Sequence, residues 1–168
     1  TLLRKEQKEV SQMEIERKFL TVSLPFSLKD YPKKEISQCY LSFSPTIRLR
    51  RQNGAYILTV KGKGLMAREE FELPLSAEEY AHLLPKAEGQ MVEKTRYLVP
   101  LAEGYTAEID QYHGSLTGLW TTEVEFPSLE AATAFLPPDW MGQEVTNDPR
   151  YSNACLAQYG LPRQESKP

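Results

Sequence analysis

A chain of 168 residues is long enough to bury a core as one domain, and no apolar run in it approaches the roughly 18 residues of a membrane span. Its 40% hydrophobic and 26% charged residues are the mix of a globular chain rather than a disordered or fibrous one. A formal net charge of −3 excludes a global basic field for nucleic acid or an anionic membrane, so any anion site must be gathered locally from particular lysines and arginines.

Residues 1–12 are polar and lack the apolar stretch of a signal peptide. They read as an N-terminal extension to a single domain over 13–160, with 161–168 a polar tail and the cytoplasm the expected location. Cys39 and Cys155 belong to no CxxC and read as reduced, buried thiols. The first element is the strand 13–20, MEIERKFL. Its period of two sets Glu14, Glu16 and Lys18 on one face and Met13, Ile15, Arg17 and Phe19 on the other. Carboxylates two residues apart on a strand lie roughly 6.6 Å from each other and repel unless a cation sits between them.

After a proline-bearing connector, 35–42 reads as a strand with Ile36, Gln38, Tyr40 and Ser42 on one side, and Pro45 breaks it. The strand 46–52 places Arg48 and Arg50 together, Asn53-Gly54 is a hairpin signal, and the return strand 55–63 carries Thr59, Lys61 and Lys63. A further strand, 68–74, sets Arg68, Glu70 and Glu72 on one face. Ser76 with Glu79 has capping-box spacing, which predicts a helix over 76–84 ended by Pro85. Three more strands follow: 90–99 with Lys94 and Arg96, 104–113 with Glu108 and Asp110, and 119–126 with Glu123 and Glu125. A second helix is predicted over 128–136, stopped by Pro137-Pro138. Asp148-Pro149 predicts the cap and first turn of a third helix running to Tyr159.

These same-face charges are the strongest pattern in the chain, and their signs are sorted by strand. Spacing alone leaves two readings open. One is an ordinary antiparallel sheet with a solvated charged face, whose cross-strand pairs are worth little. The other is an eight-stranded closed barrel with the charges inside, where water and counter-ions must offset their burial. A polyphosphate with divalent cations would suit the second, bases gripping phosphate oxygens and carboxylates holding metal. His82 and His113 lack a third partner for zinc, Lys61-Gly62-Lys63-Gly64 lacks the spacing of a P-loop, and no GxSxG occurs. Trp120, Trp140 and the tyrosines read as core residues rather than a base-stacking platform, and core packing is also the expectation for Tyr40, although it faces the same side as Gln38.

Glu14-x-Glu16-x-Lys18 resembles the ExExK signature of the CYTH domain, the triphosphate tunnel metalloenzymes. The resemblance continues through Arg48-x-Arg50, Thr59-x-Lys61, Arg68-x-Glu70-x-Glu72, Lys94-x-Arg96, Glu108-x-Asp110, Glu123-x-Glu125 and the segment 146–153. It implies an α+β fold, an antiparallel eight-stranded β-barrel (a tunnel) with helices packed outside. It implies phosphate ligands Lys18, Arg48, Arg50, Lys61, Lys94 and Arg96, with Lys63 and Arg68 in lesser parts. Metal ligands would be Glu14, Glu16, Asp110, Glu123 and Glu125, supported by Glu70, Glu72 and Glu108, with Glu16, Lys18 and Lys94 the catalytic group. Two ions, Mg²⁺ or Mn²⁺, and a small-molecule triphosphate are the expected partners, with no nucleic acid and no membrane. Monomer and homodimer both remain open. Hydrolysis of inorganic tripolyphosphate to pyrophosphate and phosphate is the leading expectation, since no motif for a base or ribose is evident. The alternatives are a class IV-type adenylyl cyclase, a thiamine triphosphate or nucleotide triphosphatase, and a non-catalytic polyphosphate- or nucleotide-binding module.

Overall fold

The computed structural model describes residues 12–163, so residues 1–11 of the expected extension and 164–168 of the tail lie outside the described residues. Eight strands form one closed antiparallel barrel: β1 (Gln12–Leu20), β2 (Lys33–Phe43), β3 (Thr46–Gln52), β4 (Ala55–Lys61), β5 (Ala67–Leu75), β6 (Glu88–Pro100), β7 (Thr106–Tyr112) and β8 (Trp120–Glu125). Around the barrel their order is β1-β5-β4-β3-β2-β6-β7-β8. β1 closes the ring by changing partner midway: Gln12 to Ile15 pair with β5, and Glu16 to Leu20 pair with β8.

Closure turns the usual hydrophobic logic outward. Ile15 and Phe19, on the face opposite Glu14, Glu16 and Lys18, join Ile109, Val124 and Phe126 in an apolar layer outside the barrel wall. That layer is covered by α2 (Leu129–Ala134), by Met141 and by the connector residues Leu24, Phe26 and Tyr31. A second layer of Cys39, Leu49 and Tyr80 lies under α1 (Ala77–Leu83), whose capping box at Ser76 and Glu79 is as predicted. At one end of the barrel α3 (Asn153–Tyr159) buries Leu156 and Ala157 against Tyr40, Val92 and Tyr112. Burying apolar area at about 25 cal/mol per Å² between wall and helices is what drives assembly, which leaves the interior available for charge. Among the described residues no helix is long and apolar enough to cross a membrane.

Several local expectations need correction. The strand 55–63 ends at Lys61, and Lys63 is exposed in the turn beyond it, because Gly62 and Gly64 bend the chain there, Gly64 at φ 125°. As expected, α1 ends just before Pro85, at Leu83, although a 3₁₀ turn over Leu84–Lys86 follows it and takes proline within its first two positions, where its missing N–H costs nothing. The third helix is broken in two. Asp148 caps only a 3₁₀ turn, Pro149–Tyr151, and extended Ser152 (ψ 147°) then caps α3 by accepting from Cys155 N. Cys155 is half-buried rather than buried; both cysteines are free.

Candidate active site

The barrel order converts strand-by-strand sorting of charge into two opposed half-cylinders. Acids occupy four adjacent strands: Glu108 and Asp110 on β7, Glu123 and Glu125 on β8, Glu14 and Glu16 on β1, Glu70 and Glu72 on β5. Bases occupy the other half: Lys61 on β4, Arg48 and Arg50 on β3, Lys94 and Arg96 on β6, with uncharged Gln38 on β2 among them. Lys18 and Arg68 are the bases embedded in the acidic half.

Two cavities share Glu16, Arg48, Lys61, Arg68, Glu123 and Asn153, and are therefore the two ends of one tunnel. One end, about 510 Å³, is rimmed by Glu14, Glu72, Glu108 and Glu125 with Arg50 and Arg96 deeper in. The other, about 690 Å³, opens past Lys18, Tyr40, Lys63, Leu65 and the α3 segment. Every candidate residue except Lys94 and Asp110 lines one or both cavities. Glu72, Glu125 and Lys63 are exposed at the mouths rather than enclosed. Lys94 and Asp110 are buried in the wall, 2.8 Å apart.

Most bases are already paired. Lys18 Nζ lies 3.1 Å from Glu123. Lys61 Nζ is 3.2 Å from Glu14 and 3.3 Å from Glu70, and Arg68 reaches Glu16 at 3.5 Å. Arg96 grips Asp110 through Nε and Nη2 at 2.8 and 2.9 Å and reaches Glu108 at 2.7 Å. By contrast, Arg48 and Arg50 have no carboxylate partner among the described residues. Arg48 Nη2 donates to Thr59 Oγ1 at 3.1 Å, and Arg50 Nε to Gln38 Oε1 at 2.9 Å. Burial first, then repulsion from Arg48 and Arg96, pushes the Arg50 pKa down to about 9.

On the acidic side the imbalance has the opposite sign. Burial, then the charges of Glu123 and Glu14, push Glu16 up to about 8. Glu14 and Glu125 are also raised, by burial first and then by the carboxylates facing them. Asp110, despite its burial, is held below the ordinary range by Arg96 and Lys94. Lys94 falls to about 7 because complete burial, with Arg96 adding to it, outweighs the pull of Asp110.

The acidic mouth therefore holds more negative charge than its lysines and arginines neutralise. An all-carboxylate donor set of this kind fits a hard divalent cation such as Mg²⁺ or Mn²⁺. No three such groups among the described residues form a ready-made cage.

The sequence reading did not assign site roles to Asn153, Tyr112 or Gln38. Asn153 Oδ1 accepts from Lys94 Nζ at 3.1 Å and from Tyr112 O–H at 2.9 Å, while Lys18 Nζ donates to the Tyr151 carbonyl at 2.7 Å. The 148–153 segment thus braces both lysines, a contact no spacing within one strand signals. Tyr40 packs in the apolar cluster under α3, as expected, and edges the wider mouth as well.

A closed barrel with helices over its apolar outside and an acid-against-base lumen defines a tunnel protein. The chain belongs to the CYTH family, whose domain profile matches residues 12–134. It is 43% identical over 148 residues to the inorganic triphosphatase of Nitrosomonas europaea, covering 86% of this chain and 96% of that one. To the inorganic triphosphatase of Acetivibrio thermocellus it is 36% identical over 148 residues, covering 85% and 92%. A solved inorganic triphosphatase structure matches with TM-score 0.66 at 38% identity, covering 89% of this chain and 97% of that one. A putative adenylyl cyclase from Hippeastrum, at 17% identity and TM-score 0.55 over 71% of this chain and 82% of that one, shares the fold alone.

Proposed function

We propose that this chain is a divalent-metal-dependent triphosphatase that hydrolyses inorganic tripolyphosphate to pyrophosphate and phosphate. The observation that carries the reading is the pair Arg48, buried, and Arg50, half-buried, neither with a carboxylate partner among the described residues, across the lumen from carboxylates that hold their protons too tightly. A linear polyanion accompanied by metal answers both imbalances at once. The relatives named inorganic triphosphatase support the same activity.

Arg48, Arg50, Lys61 and Arg96 bind the phosphate chain in this reading, with Lys18 and Lys94 at the reacting end and Arg68 and Lys63 toward the mouths. Glu14, Glu16, Glu123 and Glu125 would hold Mg²⁺ or Mn²⁺, two ions on this view, while Asp110, its oxygens taken by Arg96 and Lys94, would serve the metal site through those bases, and Glu70, Glu72 and Glu108 would orient the neighbouring bases. When bound, such ions neutralise phosphate oxygens and lower the pKa of a coordinated water. The chain's own residues do the rest by positioning and charge, which is most of what phosphoryl transfer requires. Lys18 stays cationic beside Glu123 and fixes a terminal phosphoryl oxygen. Lys94, buried with its Nζ 2.8 Å from Asp110 and 3.1 Å from Asn153 Oδ1, acts from the wall through position and charge. Water oxygen bonds to the terminal phosphorus as the bridging P–O bond breaks, pyrophosphate leaves with the bridging oxygen, and the proton lost by the water passes to solvent. The free thiols Cys39 and Cys155 support a reducing, cytoplasmic setting.

The test is incubation with Mg²⁺ or Mn²⁺ and, separately, tripolyphosphate, ATP and thiamine triphosphate, with product analysis. Phosphate and pyrophosphate released fastest from tripolyphosphate is the expected result. Cyclic AMP from ATP, faster turnover of thiamine triphosphate, or tight binding with no turnover would each overturn it.

A further inference from the structure

Gln38 stands on β2 in the middle of the basic half-cylinder, and it is fully buried (0% exposed). Its Oε1 accepts from Arg50 Nε at 2.9 Å, whereas its Nε2 has no acceptor among the described residues. Arg48 is held in the same manner by the Thr59 hydroxyl, and its own Nε is likewise unsatisfied. Lys18, Lys61, Arg68, Lys94 and Arg96 each have a carboxylate within ion-pair distance. Arg48 and Arg50, on the lumen face of β3, have only neutral partners among the described residues.

For the stability of the empty protein a glutamate would serve better at position 38. It would accept from Arg50 with charge assistance, remove the orphaned amide donor, and offset the repulsion between Arg48 and Arg50. It would also cancel the charge that an incoming anion has to find. A neutral acceptor at Arg50 Nε fixes the guanidinium plane and leaves its terminal nitrogens uncommitted.

We infer that Gln38 is a positioning residue for anion binding, holding Arg50 in place without neutralising it, so that the basic wall keeps its charge for a phosphate chain. The inference rests on the triphosphate reading and deepens it. Gln38 acts through Arg50 and does not touch the reacting atoms. The chain gives up some stability of the empty tunnel in exchange for affinity.

Three measurements on the full chain test this: the melting temperature of the empty protein in EDTA, calorimetric titration with tripolyphosphate in the same buffer, and the separation of KM from kcat with metal. Gln38→Glu is expected to melt no lower than wild type while its tripolyphosphate affinity falls at least about tenfold, the scale of one charge-assisted contact. KM should rise by a similar factor while kcat stays within about twofold, the pattern of lost uniform binding. Gln38→Met, which removes the acceptor and adds no charge, should lose less affinity than Gln38→Glu. Wild-type affinity in Gln38→Glu would overturn the inference, and so would parallel loss of stability and affinity in both variants, the signature of mere packing. Titration with ATP alongside separates the two failures. A wild type that binds ATP and ignores tripolyphosphate sinks the substrate reading, while the inference then stands only if Gln38→Glu weakens ATP binding by the same tenfold.

Discussion

Glu16 lies between other carboxylates in a buried lumen, and that position gives it a testable acid–base signature. Burial and the neighbouring carboxylates raise its pKa from the ordinary 4.5 to about 8 in the fold. The folded state therefore holds the extra proton between those values. Its stabilising effect is complete below about 4.5 and is lost as pH rises through about 8. Asp110 and Glu123 are held below the ordinary range despite burial, by Arg96 and Lys94 and by Lys18 and Arg96 respectively, so their contributions are lost only at more acid pH. Melting temperature followed in EDTA should decline across the Glu16 window in wild type, and Glu16→Gln should remove that part of the slope. An unchanged slope would mean that Glu16 is ionised in the empty tunnel. The same substitution should lower metal-dependent turnover by more than about 10²-fold, since even outer partners of a metal cost 10–100-fold when removed. Tripolyphosphate binding in EDTA should fall far less. Arg50→Ala should weaken tripolyphosphate binding by at least about tenfold and lower turnover at sub-saturating substrate by the same factor, as when a charge-assisted contact made throughout the reaction is removed.

Short helices close this barrel, and none would persist alone. At six and seven residues, α2 and α3 are well below the roughly 12–15 residues at which isolated helices become even marginal in water. Each is held by a specific tie. Arg17, on the outer face of β1, donates through Nη1 to the Ala132 and Phe135 carbonyls at 2.9 and 2.8 Å, and it also pairs with Glu144. Arg17→Met should cost about 1–3 kcal/mol by stranding those acceptors, measured by urea unfolding, with turnover per folded molecule unchanged. For α3 the tie is the Ser152 cap, and Ser152→Ala should cost about 1 kcal/mol. Because the same segment braces Lys18 and Lys94 through Tyr151 and Asn153, this variant should also lower turnover, unlike Arg17→Met. Gly142 packs against the end of β1: at φ 79° an added Cβ would lie 2.1 Å from the Leu20 carbonyl oxygen, a clash with backbone that cannot yield cheaply.

Across the whole molecule, the barrel inverts the usual placement of polar and apolar surface. Buried ion pairs seldom add net stability, because desolvation of both charges opposes their attraction. The outer apolar layers must therefore carry the fold, while the lumen keeps its charges for a ligand. A ligand that satisfies both half-cylinders should raise stability by about 2.7 kcal/mol at a hundred times its Kd, or roughly 5–11 °C in Tm for a chain of this size. Tripolyphosphate with Mg²⁺ should produce that shift in differential scanning calorimetry, and inorganic phosphate alone should produce much less. Equal shifts from both would argue against a site built for a chain of phosphates.

How much of this was readable beforehand follows from the range of each interaction. Strand alternation needs only neighbours two apart, so the shared faces of Glu14-x-Glu16-x-Lys18, Arg48-x-Arg50 and Lys94-x-Arg96 could be read from the chain, though not whether they face water or a lumen, and so could the cap at Ser76 and the Asn53-Gly54 turn. The resemblance carried by those pairs supplied the barrel. What the chain could not reveal is the order of strands around it, because ring closure depends on long-range pairing such as that of β1 with both β5 and β8. That order alone gathers the acids on one half and the bases on the other. It also sets Gln38 behind Arg50 and brings Asn153 from the far end of the chain to Lys94. Sequence determined which faces are charged; tertiary structure decided which charges meet, because pairing across a closed sheet is not a local property of any strand.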